Sequence, residues 1–97
     1  MPLGVKRNKM GKYERLIQQI ISGRADANIA FDDLCNLLLR CGFDMRISGS
    51  HHIFRKAGIE EKPNLQKDGN KAKPYQVKQV RQIILKYKLG EEVKIDG

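Results

Sequence analysis

The 97-residue chain has room for one small domain and not for a second hydrophobic core. Its 19 lysines and arginines against 11 aspartates and glutamates give a net charge of +8, which favours polyanionic partners, nucleic acid first among them. The longest obvious apolar run, Leu37-Leu38-Leu39, is too short to cross a bilayer, and the basic start MPLGVKRNKMGK lacks the apolar region and cleavage site of a secretory signal. A cytoplasmic protein with no membrane partner is expected.

Residues 1–11 carry Lys6, Arg7 and Lys9 among small residues and read as a flexible basic tail. In KYERLIQQIIS, Tyr13, Leu16, Ile17, Ile20 and Ile21 recur at helical spacing, and Gly23 is a plausible stop. This extra N-terminal helix and its polar linker GRADAN occupy residues 12–28. FDDLCNLLLRCG predicts a second helix with an apolar stripe of Phe31, Leu34, Leu38 and Cys41. Asp32 and Asp33 suit its positive end, and Gly42 can terminate it. Phe43, Met45 and Ile47 then alternate with polar residues, the pattern of a half-buried strand. Gly49-Ser50 breaks the chain, HHIFRK resumes an extended pattern, AGIEEK turns it again and PNLQ is a short third strand. KDGNKAK reads as a basic loop. PYQVKQVRQIILKYK is the last helix, with Pro74 at its start, where a missing N–H costs nothing.

Strands joined by short turns imply an antiparallel sheet, with helices before and after it covering one face. The class is α+β. From residue 29 the order is α-β-β-β-α, that of a double-stranded-RNA-binding domain (dsRBD). The last helix buries Val77, Val80, Ile84 and Tyr87 and leaves Lys78, Arg81, Lys86 and Lys88 polar. Between residues 62 and 89 only Asp68 is acidic against eight lysines and arginines, a concentration suited to a phosphate-binding surface as well as to a solubilising face.

The chemistry-bearing residues are few. Cys35 and Cys41, six apart in a helix, point about 120° apart with about 9 Å of rise between them. A disulfide needs Cα atoms within about 7 Å, so buried free thiols are expected. Adjacent His51 and His52 point to opposite faces of a strand and cannot readily share one metal ion, and no C-x-x-C or H-x-x-x-H is present. Acid–base chemistry suits them better. A neutral imidazole beside a basic surface could activate the 2′-OH of RNA, with cations offsetting the developing negative charge. The plain alternative is one half-buried strand histidine and one solvated one. Candidate RNA contacts are Gly49, Ser50 and Arg55 around the histidines, and Lys71, Lys73, Lys78 and Arg81 on the loop-to-helix unit.

DLCNLLLRCGFDMRISGSHHIFRK, followed by NLQ and KAKPYQVKQVRQIILKYKL, resembles the HicA toxin family, the small ribonuclease partner of HicB in bacterial type II toxin–antitoxin systems. Cys41-Gly42-Phe43, Gly49-Ser50-His51, Phe54 and the basic run Lys78 to Lys88 fill the family's marks in order, and the likeness covers residues 29–89. Two departures stand out: residues 1–28 are additional, and the third strand is reduced to NLQ beside Pro63. The resemblance implies a dsRBD-like HicA-type domain over residues 29–97 and mRNA cleavage by a catalytic histidine without a metal or other cofactor. It further implies inhibition by an acidic-surfaced HicB-type antitoxin. The family usually places its essential histidine directly after Gly-Ser, which is His51, with His52 as the second candidate. The rival readings are a non-catalytic double-stranded-RNA-binding module and a DNA-binding or interaction protein; no helix-turn-helix partner precedes the last helix.

Overall fold

Among the described residues, three amphipathic helices supply most of the core. The structure is a computed structural model and describes residues 11–91. The expected tail, with Lys6, Arg7 and Lys9, lies outside the described residues apart from Gly11. Helix α1 (Lys12–Ser22) buries Leu16, Ile17 and Ile20, and Gly23 ends it at φ 72°, a left-handed conformation that suits glycine. A single 3-10 turn (Asp26–Asn28) leads to α2 (Phe31–Arg40), which buries Phe31, Leu34, Cys35, Leu37 and Leu38. Gly42 follows at φ 97°, and the Lys56 ammonium donates to the Cys41 carbonyl, a cation at the negative end of the helix. Helix α3 (Pro74–Tyr87) buries Val77, Val80, Ile83 and Ile84 together with one polar residue, Gln76.

The strands β1 (Asp44–Ser48), β2 (His51–Arg55) and β3 (Asn64–Leu65) form an antiparallel sheet in the order β1-β2-β3. The protein is therefore α+β. Phe54 and Leu65 are wholly buried and mark the face turned to the helices. Leu16, Ile17 and Ile20 join the same core cluster as Phe54 and Val80, so α1 is an integral part of the packing. Among the described residues no helix is long and apolar enough to cross a membrane.

Two expectations are corrected. The strand read as half-buried is exposed along its whole length: Met45 and Ile47 share the face of Phe54 and His52, yet are 36% and 58% exposed. Alternation assigns faces but not cover, and β1 is an edge strand, with only Phe43 just before it buried. The basic loop KDGNKAK is a hairpin, β4 (Lys67–Asp68) paired with β5 (Lys71–Ala72). Gly69 at φ 64° permits its two-residue turn, and the Phe31 and Ala72 amides donate to the Asn70 and Ile29 carbonyls, at 2.9 Å each, stitching the hairpin to the start of α2.

Two ion pairs lock α3 to the rest of the chain. Arg81 Nη1 lies 2.9 Å from Asp26 Oδ1 and donates to the Ile20 carbonyl at 3.0 Å, with both charged side chains largely covered. Removing the guanidinium leaves Asp26 without its ion pair and the carbonyl without this donor, so Arg81→Met should cost about 2 kcal/mol. For a domain of this size, that lowers the melting temperature by on the order of 10 °C in a calorimetric or circular-dichroism melt.

At the far end of α3, Glu61 accepts hydrogen bonds from Tyr87 Oη at 2.6 Å and Lys86 Nζ at 2.9 Å. The tyrosine hydroxyl first, and then the ammonium, pull the Glu61 carboxyl down from 4.5 to about 2. A depressed carboxylate stabilises the fold above its unfolded value and loses that contribution as pH falls from there toward the folded value. Urea melts should accordingly show Glu61→Gln destabilising near neutral pH, with the gap from the parent narrowing at about pH 3.

Candidate functional site

The turn between β1 and β2 decides which histidine faces solvent. Ser48 pairs with His51 across the two-residue loop Gly49-Ser50. Gly49 has φ 60° and Ser50 does not have a positive φ, the pattern of a type II′ turn with glycine first. A Cβ at Gly49 would touch nothing within 4 Å, so the backbone conformation is what favours glycine here. From this turn, His51, Ile53 and Arg55 run along the open face with Ser48, Arg46 and Asp44 opposite them, while His52 and Phe54 turn to the core.

The two rings consequently meet different surroundings. His51 is exposed, and its Nδ1 lies 3.0 Å from Asn64 Oδ1. An amide oxygen only accepts, so Nδ1 donates in this contact; in the neutral ring the lone pair then lies on Nε2, which has no partner among the described residues. That is the tautomer a general base at Nε2 requires. His52 is half-buried, edge-on to Phe31 with ring centroids 4.9 Å apart, and its Nδ1 is buried without a hydrogen-bond partner among the described residues. It is a packing residue on the core side.

A chain of amides holds this arrangement. Gln76, only 2% exposed, accepts from the Gln66 amide at 3.3 Å and donates to the Asn64 carbonyl at 3.4 Å, bracketing Leu65. It thereby fixes the backbone that presents Asn64 to His51. Gln66 Nε2 reaches Ser50 Oγ at 3.1 Å, and Lys73 Nζ lies 3.5 Å from Gln66 Oε1. The turn, β3 and the start of α3 thus converge beside His51.

Of the residues expected from sequence, Ser50, His51 and Lys73 are brought together in this network, with Gly49 in the turn. Arg55 shares the open face; Lys71 is exposed on β5 and Lys78 on α3. Arg81 is engaged with Asp26 and the Ile20 carbonyl, outside this network. Sequence reading missed Asn64, Gln66, Gln76 and Arg46. One signal was available: Gln76 lies four residues before Val80, so it interrupts the apolar stripe of α3 with a buried polar group. The cysteines are both free and buried, and burial pushes the Cys35 thiol up to about 11, leaving it protonated at neutral pH. Among the described residues no group of three or more His, Cys, Asp or Glu side chains could hold a metal ion. Neither family models, nor curated proteins, nor solved structures match this chain.

The Asn64 contact has a direct readout. Nitrogen-detected histidine NMR should find neutral His51 mainly protonated at Nδ1 in the parent. In Asn64→Ala it should shift toward Nε2 protonation, with the circular-dichroism spectrum unchanged.

Proposed function

We propose that the protein is a metal-independent endoribonuclease that cleaves mRNA with His51 as its general base. The HicA-type toxin is the family this reading points to. The observation that carries it is the exposed His51 ring, held through Nδ1 by Asn64, with Nε2 unpaired among the described residues. Further support comes from the order of α2, three antiparallel strands and α3, which is compatible with a dsRBD-like fold to which α1 and the β4–β5 hairpin are added. In this reading His51 Nε2 takes the proton of a ribose 2′-OH. The 2′ oxygen attacks the adjacent phosphorus, so that a P–O2′ bond forms while the P–O5′ bond breaks. A proton from solvent completes the leaving 5′-hydroxyl, and a 2′,3′-cyclic phosphate remains. Lys73, with Lys71 and Lys78 nearby in sequence, offsets charge on the phosphate, while Arg46 and Arg55 guide the strand across the open face. A net charge of +8 suits neutralisation by an acidic HicB-type antitoxin.

Purified protein incubated with RNA and a chelator should cleave it. His51→Ala should lose about 100-fold or more of that rate, while His52→Ala retains most of it. Equal cleavage by both single variants would sink the assignment. Salt-sensitive duplex binding without cleavage, indifferent to either histidine, would make the chain a non-catalytic RNA-binding module.

A further inference from the structure

The free edge of the sheet carries its own complement. In β1 all five residues are exposed, the ladder to β2 runs without a bulge, and the strand contains neither proline nor lysine, two common protections of an edge; its charges are one acid and one base, Asp44 and Arg46. Ser48 and His51 flank a two-residue turn and form a hydrogen-bonded pair, so bonding alternates from there along the strand. Asp44, Arg46 and Ser48 therefore direct their backbone groups at β2, and Met45 and Ile47 direct theirs outward. These two also carry the uncovered apolar side chains. Neither the Asp44 nor the Arg46 side chain has an ion-pair or hydrogen-bond partner among the described residues.

A second copy of the chain satisfies all of this in one register. Antiparallel pairing about a twofold axis through Met45 sets Met45 against Met45 as an outward-bonded pair and Ile47 against Phe43. Asp44 then falls opposite Arg46 of the second copy, twice, in the closer non-hydrogen-bonded positions where side-chain charges interact best. Moving the axis to Arg46 opposes two guanidinium groups at that close spacing. Moving it to Ile47 discards the charge pairs and runs Met45 into the turn at Gly49. We propose that the protein forms a twofold dimer through β1, with the Met45-centred register making a six-stranded sheet that carries both His51 rings on one open face. The +8 charge on each copy opposes association at long range, and physiological salt screens it beyond about 8 Å.

The test is a charge swap read by sedimentation velocity of the full chain over a dilution series. The parent should show a monomer–dimer equilibrium. Asp44→Arg and Arg46→Asp should each weaken it at least about tenfold, because each converts both cross-strand pairs to like charges. The double variant D44R/R46D should recover it, since the pairs are restored with their signs exchanged. A parent that stays monomeric at every concentration overturns the proposal and leaves the edge to a different protein. A dimer that persists in both single variants overturns the placement at β1. A double variant that is folded by circular dichroism yet monomeric overturns the register. The outcome is independent of whether the chain cleaves RNA.

Discussion

The buried amide of Gln76 is the joint on which the arrangement at His51 depends. β3 is two residues long, pairing Leu65 with His52 and Asn64 with Ile53, and the Phe54 amide adds one bond to the Pro63 carbonyl, a short ladder to fix a strand by itself. α3 supplies what the sheet lacks. The Gln76 side chain binds the backbone on both sides of Leu65 in the way a neighbouring strand would, so a helix acts as the next rung. A buried amide left without these partners would cost about 1–3 kcal/mol, so helix and strand are held together by mutual satisfaction of polar groups. Asn64 inherits its position from that joint, and His51 inherits its tautomer from Asn64.

The same strand gives two histidines opposite fates because a strand has a period of two. The type II′ turn sets the phase: with Ser48 paired to His51, the first histidine lies on the open face and the second on the face of Phe54 and Leu65. A one-residue slip would exchange them, burying the ring with the Asn64 contact and exposing the one against Phe31. Gly49 is therefore part of the site through its backbone conformation.

The helices were legible because each carries an apolar stripe with punctuation at its ends: Gly23 after α1, Gly42 after α2, Pro74 opening α3. The opposite orientation of the two histidines was legible too, since alternation needs no tertiary information. The cover over β1 was not, because Met45 and Ile47 alternate as a buried strand would, and only the tertiary arrangement leaves them at an edge. The fate of Arg81 was hidden for a related reason. Its partner Asp26 lies 55 residues away, and within its own segment the arginine is one member of a basic run. Asn64 and Gln66 were hidden because two polar residues flanking a leucine are unremarkable until a turn and a helix converge on them.

Charge along α3 sorts into two kinds once partners are known. Arg81 and Lys86 are neutralised by Asp26 and Glu61, residues outside the basic segment, and both lie in the second half of the helix. The cations at the other end, Lys71, Lys73 and Lys78, have no carboxylate partner among the described residues. Positive charge at a helix N-terminus works against the macrodipole. α1 and α2 obey that rule with Glu14 and with Asp32 and Asp33 in their first turns, whereas α3 has no acid in its first turn and a lysine at its N-cap. The start of α3 thus departs from the rule the other two helices follow, at the end that reaches the His51 network through Lys73 and Gln66. In the ribonuclease reading proposed above, a phosphate held there would offset both the lysines and the helix dipole, which favours this end of α3 over its length as a whole.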